Sequence, residues 1–551
     1  MLLFEKHKEL LDKATQAVFS RKFYAAYSEN PKAYAEDGLA KAQAWYDAQL
    51  GNRFTELLQQ DPSDWKGNES SPYTQELLNI HYPSFTDEQL IDNARACLSE
   101  WRNASPESRA GVLLESLERI SKRFFDIAIA TMHTSGQAYM MSFQASGPHA
   151  NDRALETIAI GYDLQRKFPD HQEWIKPMGK FELNVHKTWR TMGRGIGLVI
   201  GCSTFPVWNT VPGVFANLIS GNPVIVKPHP GGILPIAIVV AEIQKALVAG
   251  RYNPDLIQLA VDTTNDPITK KLVNSPEVKL IDYTGGNSFG DYIESLPGKI
   301  SFTEKAGVNS VILDSAHDLN AVMQNLAFAA CLYSGQMCTA PQNIFIPENG
   351  IKTDSGHVSF TDAAQAFADA VQAIVDHPKM GPGVLGAIQN IDTLQRIGNA
   401  IESKNAVLIL DSKSVVNEEY PNARTASPAI IKLDAEDIAT YGEECFGPVV
   451  FIIKTADTEE SIALAKKLAL HKGAISCGAY TTNENVKHNI AESMEEAFTP
   501  VAFNLTGQIW MNQNAAFSDF HVTGGNPAGN ASFTDISYLS KRFVWVGHKH
   551  M

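Results

Sequence analysis

The sequence predicts an α/β protein built on two open parallel-sheet domains in series, and three observations carry that prediction. From about residue 195, short apolar strands alternate with helices: IGLVIGC, VFANLISG, NPVIVKP, ILPIAIVVAEIQKALVAG, LIQLAVD and VKLIDYTGG follow one another with turn residues between them. A second alternation runs from about Lys299 to Asn512, with VNSVILD, PQNIFIP, AVLILD, PAIIKLD and GPVVFIIK as strands and DLNAVMQNLAFAACLYSG and FTDAAQAFADAVQAIVDH as helices. Two segments fit neither pattern, GKFELNVHKTWRTMGRG before the first sheet and the tail from Ala515 to Met551; both alternate weakly and could pair with each other or with a neighbouring subunit.

The first 165 residues read as helix, because AYAEDGLAKAQAWYDAQL and SPESRAGVLLESLERISKRFFDIAIATM space their apolar residues at three and four. Ser105, with Glu107 close behind, marks a helix start. At 551 residues the chain is too long for one hydrophobic core. Its 46 basic and 61 acidic residues leave a formal net charge of −15, which argues against nucleic acid and anionic membrane surfaces as partners. The longest apolar run, from Ile233 to Ala241, is far too short to span a bilayer, and the N-terminus lacks the apolar stretch of a signal peptide. Six cysteines without a CxxC or Cys/His cluster give neither a disulfide framework nor a zinc site, so no metal is expected and a reducing cytoplasm fits.

An open sheet of this kind binds ligands beyond the carboxyl ends of its strands. Lys227 ends a strand in GNPVIVKPHP, where it is either a cofactor contact or a solvated strand-end lysine. Gly285 and Gly286 in YTGGNSFGDYI precede a helix, so backbone N–H groups there can face a pyrophosphate. By contrast, Gly193, Gly195 and Gly197 come before their strand with the wrong spacing for a dinucleotide fingerprint and read as a turn. Glu304 enters the second block in SFTEKAGVNSVIL; Cys338 lies in YSGQMCTAPQNIF, either a reactive thiol or one more small buried residue; EECFGPVV supplies Glu444 and Phe446 beside a Gly-Pro turn. A thiolate attacking a carbonyl needs access, a donor for the oxyanion and a base for a later water.

Taken in order, a strand ending in Lys-Pro, a Thr-Gly-Gly turn, EKAG, GQMC and EECFGPV resemble the aldehyde dehydrogenase superfamily over roughly residues 85 to 545. FPVW after the first strand and the IVKP segment look most like its phenylacetate-degradation branch, the PaaN type. The resemblance implies a helical extension (1–84), a Rossmann-like NAD(P)-binding domain (85–298) carrying an oligomerisation hairpin (176–194), a catalytic domain (299–512), a C-terminal oligomerisation segment (513–551), and a homodimer or higher homo-oligomer. It implies Cys338 as nucleophile and Glu304 as the base for the deacylating water. Lys227 would hold the adenosine ribose, Gly285 and Gly286 would lie near the pyrophosphate or adenine end, and Glu444 would bind the nicotinamide ribose with Phe446 beside it. The expected reaction oxidises an aldehyde to a free acid, with a ring-cleavage semialdehyde or its coenzyme A thioester as the implied substrate.

Two departures from the family pattern stand out. Pro230 occupies the place where NAD-preferring members carry a glutamate, which favours NADP or dual use of NADP and NAD. Thr204 occupies the place of the asparagine that stabilises the tetrahedral oxygen; Asn209 is nearby, but aligning it needs a gap inside a helix. Two rival readings follow, a cysteine-dependent esterase or acyltransferase, and a catalytically impaired dehydrogenase fold serving as a partner in a pathway complex.

Overall fold

The computed structural model of the protein describes residues 2–509 and 516–551. Five parallel strands form the first sheet: β1 (Ile196–Ile200), β2 (Val224–Lys227), β3 (Ile257–Leu259), β4 (Val278–Thr284) and β5 (Ile300–Glu304), in spatial order β3-β2-β1-β4-β5. Every residue of β1 and β2 is buried, as expected of strands covered by helices on both faces. The order reverses at β1, so a crevice opens beyond the carboxyl ends of β1 and β4.

The boundary expected at 298/299 places Glu304 in the second block; the strand pairing places it in the first sheet. β5 runs alongside β4, with Thr284 opposite Glu304, and ends at the crevice. Its sequence, ISFTE, has no apolar run of its own, and only pairing with β4 makes it a strand of that sheet. Lys305 then buries its stem and pairs with Asp291 Oδ1 (2.7 Å) and Glu294 Oε2 (3.1 Å), fixing the strand end to the helix Asn287–Glu294.

The second sheet has seven strands: β6 (Ser310–Leu313), β7 (Asn343–Pro347), β8 (Val407–Leu410), β9 (Ala429–Asp434), β10 (Val449–Thr455), β11 (Cys477–Tyr480) and β12 (Val501–Phe503), ordered β8-β9-β10-β7-β6-β11-β12. All its pairs are parallel except β8 with β9. The domain boundary expected at 512/513 lies outside the described residues.

The two weakly alternating segments pair with each other. Glu182–Gly193 is the middle strand of an antiparallel arm, between His171–Pro177 and the terminal strand Phe543–His550. The arm therefore begins five residues before the expected hairpin, at His171 rather than 176. Beneath it, Arg542 forms a two-pronged ion pair with Asp282 (2.5 and 2.8 Å), and Tyr538 donates to the same carboxylate at 2.8 Å. This fully buried set welds the C-terminal tail to β4.

The N-terminal extension joins the same core. Phe4, Leu11 and Val18 of the helix Leu2–Ser20 lie in one apolar cluster with the helices Pro106–Ser121 and Ala150–Gln165. Gly111 permits that crossing, since a Cβ there would sit 2.5 Å from the Phe4 nitrogen. Ser105 caps its helix by accepting from Ser108 N–H at 3.2 Å, and Pro106 occupies the first helical position, where its missing N–H costs nothing.

Candidate active site

Cys338 sits on a loop that the backbone holds in an unusual conformation. After the helix Leu319–Cys331, Tyr333, Ser334 and Gly335 are all left-handed (φ 50°, 50° and 63°). For Tyr333 and Ser334 this costs about 1–3 kcal/mol each, so neighbouring contacts must hold it. Tyr333 donates to the Ser135 carbonyl, and Ser334 Oγ donates to the carbonyls of Leu385 (3.1 Å) and Ala426 (3.0 Å). Gln336 bonds Ala387 and Gln389, and Asn309 donates to the Cys338 carbonyl at 2.8 Å. A Cβ on Gly335 would meet the Gly447 carbonyl at 2.4 Å. The glycines of GQMC and EECFGPV are thus needed where those two loops touch.

Two cavities meet at Cys338. One, of about 290 Å³, is lined mainly by apolar side chains, among them Met141, Phe205, Trp208, Phe328 and Met337. The other, of about 340 Å³, is more polar and carries Thr204, Gly285, Gly286, Glu304, Glu444 and Phe446. Phe205, Asn209 and Cys338 line both. Desolvation, and then the charge of Glu304, push the Cys338 thiol well above its ordinary value. The thiol is therefore protonated at rest and has to be activated.

Glu304, 1 % exposed, accepts a hydrogen bond from Asn209 Nδ2 at 3.0 Å. Asn209 lies on the first turn of the helix Pro206–Ile219, one turn beyond Thr204, and so reaches back to the reacting centre from inside a helix. Thr204 lines only the cofactor-side cavity; its backbone carbonyl accepts from Gln137 Nε2 at 2.7 Å. The sequence offered Asn209 only as an alternative to Thr204 that needed a gap, because no short motif encodes a side chain that returns to a site from within a helix.

His521 is the second residue that motif reading misses. It is 3 % exposed, with Nε2 3.3 Å from Glu304 Oε1 and 3.9 Å from Cys338 Sγ. A third is Arg396, in the polar cavity, where it donates to the Phe446 carbonyl at 3.0 Å and to Thr393. At the apolar cavity, His149 pairs with Glu29 of the N-terminal extension at 2.9 Å, and this bond holds Glu29 below the usual carboxylate range.

The polar cavity fits a dinucleotide. A Cβ on Gly286 would enter open space, whereas one on Gly285 would strike the Tyr283 hydroxyl at 2.5 Å, so the pair keeps the helix Asn287–Glu294 accessible at its N-terminus. Glu444 is half-buried, and desolvation pushes its carboxyl up to about 7. Lys227 stands at the carboxyl end of β2, its ammonium held by buried Asp262 (2.7 Å) and the Pro228 carbonyl (2.6 Å). Pro230 is half-buried and His229 exposed, so the chain beyond Lys227 presents no acidic side chain before the next helix.

Comparison with known proteins agrees with this geometry. The Aldehyde dehydrogenase family matches residues 68–532. A crystal structure titled NAD-dependent aldehyde dehydrogenase from Burkholderia multivorans superposes with a TM-score of 0.97 at 42 % identity, covering 100 % of this chain and 99 % of that one. An alpha-ketoglutarate semialdehyde dehydrogenase of Haloferax volcanii is 24 % identical over 457 residues, 78 % of this chain and 88 % of that protein. A Caenorhabditis elegans relative, 24 % identical over 307 residues, is matched over 52 % of this chain and only 53 % of its own length.

Proposed function

The chain belongs to the aldehyde dehydrogenase family, and from that premise we propose that it oxidises an aldehyde with a largely apolar body to the free carboxylic acid, using NAD or NADP. The single observation that carries this reading is the meeting of an apolar and a polar cavity at one thiol, with a carboxylate beside it.

The aldehyde carbon lies over Cys338 with its apolar body among Trp208, Phe328 and Met337. The Cys338 thiolate adds to the carbonyl to give a thiohemiacetal. Its developing oxyanion takes a hydrogen bond from Asn209 Nδ2, which stands where Thr204 cannot reach across both cavities. NAD(P), when bound, supplies the hydride acceptor that turns the thiohemiacetal into a thioester. Glu304 then takes a proton from the attacking water, the tetrahedral adduct collapses, and the acid leaves with Cys338 regenerated as the thiolate. Glu444 would hold the ribose hydroxyls on the nicotinamide side, with Phe446 beside it. Gly285 and Gly286 would face the pyrophosphate, and Lys227, whose ammonium is held by Asp262, would contact the adenosine ribose.

We favour NADP over NAD because no carboxylate at Pro230 opposes a 2′-phosphate; catalytic efficiency measured with both cofactors tests this, and a strong NAD preference removes it. For substrate we favour a semialdehyde from aromatic-ring cleavage. The apolar lining supports it, as does the His149 imidazole in the same wall, suited to a distal carbonyl. The exposed arm strands, with Trp174, Ile175 and Val544 on their surface, are the surface on which we place the homo-oligomer contact. The deciding assay follows cofactor reduction across aliphatic, aromatic and semialdehyde substrates; ester hydrolysis without cofactor, and no reduction with any aldehyde, would replace this reading by a cysteine hydrolase.

A further inference from the structure

His521 has no part in the scheme above, yet it lies within reach of both reacting groups. Its Nε2 faces Glu304 Oε1 at 3.3 Å and Cys338 Sγ at 3.9 Å, while Trp208 packs edge-on against the imidazole at 4.7 Å between ring centres and Phe533 lies at 5.8 Å. Nδ1 is buried and has no hydrogen-bond partner among the described residues. A buried N–H without an acceptor costs more than a bare ring lone pair in the same apolar surroundings, so the geometry selects the neutral tautomer with its proton on Nε2. That N–H is directed at the Cys338 sulfur, while the neighbouring Glu304 Oε1 accepts no hydrogen bond among the described residues.

We propose that His521 is a catalytic hydrogen-bond donor whose Nε2–H, already directed at the Cys338 sulfur, stabilises the thiolate as it forms. The thiol proton moves from Sγ to the Glu304 carboxylate, which lies against it. Protonation cancels the carboxylate's charge, and the imidazole N–H tightens its bond to the new thiolate. No proton leaves the imidazole, and the charge stays at −1 across the triad. The sulfur then attacks the carbonyl carbon, and Glu304 releases its proton to solvent before serving as base for the deacylating water. The other titratable groups near this centre are Glu444 and Cys202, whose thiol burial pushes up to about 11, and Arg153, which stacks on the Trp208 ring at 5.6 Å and pairs with Glu156 at 2.7 Å. Among the described residues no lysine or arginine is hydrogen-bonded to the Cys338 sulfur, which leaves the imidazole N–H as the side-chain donor facing it.

The inference rests on Cys338 and Glu304 being nucleophile and base, and its test is independent of turnover. The rate of Cys338 alkylation by iodoacetamide, without aldehyde or cofactor, is followed against pH in the full-length protein and in its His521→Phe and His521→Gln variants. Removing a hydrogen bond to a charged sulfur predicts, for His521→Phe, a tenfold to hundredfold loss of rate at neutral pH, with the inflection displaced upward by about one to two pH units. His521→Gln, whose amide can donate from nearly the same place, restores most of it. An unchanged profile in His521→Phe, or no rescue by His521→Gln, overturns the proposal. Selective 15N labelling of histidine in the unmutated protein gives a second measurement: Nε2–H with bare Nδ1 is expected, and the opposite tautomer or an imidazolium overturns it. Failure of the enzyme to reduce either cofactor with any aldehyde would instead sink the proposed function, whatever the alkylation profile.

Discussion

The two cavities that meet at Cys338 are assembled on opposite plans. The cofactor-side cavity is made of strand ends and tight turns: Glu304 ends β5, Thr284 ends β4, and Gly285, Gly286, Glu444 and Phe446 lie on short loops with characteristic glycines and prolines. The substrate-side cavity is made of side chains from helices and remote segments, Met141, Trp208, Phe328 and His521 among them, of which only Trp208 lies in a recognisable motif, FPVW. Chemistry shared by many substrates is written in local turn geometry, whereas the shape that selects one substrate comes from packing between distant parts of the chain.

Replacing what the cavities share has the largest effect. Cys338→Ala is expected to lower turnover by more than about 10⁴-fold while leaving cofactor binding, followed by nicotinamide fluorescence, unchanged. Glu304→Gln, which removes the acceptor of the thiol proton as well as the base for the deacylating water, should slow the burst of reduced cofactor and then stall as the acyl-enzyme, with steady-state turnover down about 10²–10⁴-fold; rapid-quench mass spectrometry detects the adduct. Asn209→Ala should cost about 10²–10³-fold in kcat and Thr204→Ala markedly less. The reverse ranking would return the oxyanion role to Thr204 and break the claim that one helix serves both cavities.

Smaller effects separate the two sides. Glu444 must be ionised to accept from ribose hydroxyls, and desolvation holds it protonated below about 7. Cofactor affinity should therefore weaken as pH falls through that value, and binding near pH 7 should release protons, since the hydroxyls favour the carboxylate; calorimetry in buffers of different ionisation enthalpy measures this. Trp208→Ala is expected to raise KM for an apolar aldehyde by about tenfold, from lost apolar contact, while KM for the cofactor stays put. A change in the cofactor constant of similar size would show that the cavities are not separable.

Much of the polar side was legible. The Lys-Pro strand end, the Gly-Gly turn, EKAG, GQMC and EECFGPV carry their own physical reasons: Gly335 must admit the Gly447 carbonyl, and Gly285 must clear Tyr283. Asn209 was legible only as an alternative to Thr204 that needed a gap, and His521 was not legible. Asn209 acts from inside a helix where its spacing matches no site pattern, and His521 lies in a glycine-rich tail whose path over Glu304 is set by contacts such as Lys305 N–H to the Ala528 carbonyl at 2.7 Å. Nor could periodicity assign β5 to a sheet, because ISFTE is neither apolar throughout nor cleanly alternating.

The sequence by itself determined the α/β class, the two strand-helix alternations along the chain, the net negative charge and the loop that carries Cys338. Those follow from local periodicity, turn chemistry and composition, which act over a few residues. Tertiary structure alone decided that Glu304 belongs to the first sheet, that the arm closes on the C-terminal strand, that the N-terminal extension pins His149 beside the substrate cavity, and that Asn209 and His521 converge on one carboxylate. Each depends on hydrogen bonds or packing between residues tens to hundreds of positions apart, whose geometry exists only once both sheets are formed.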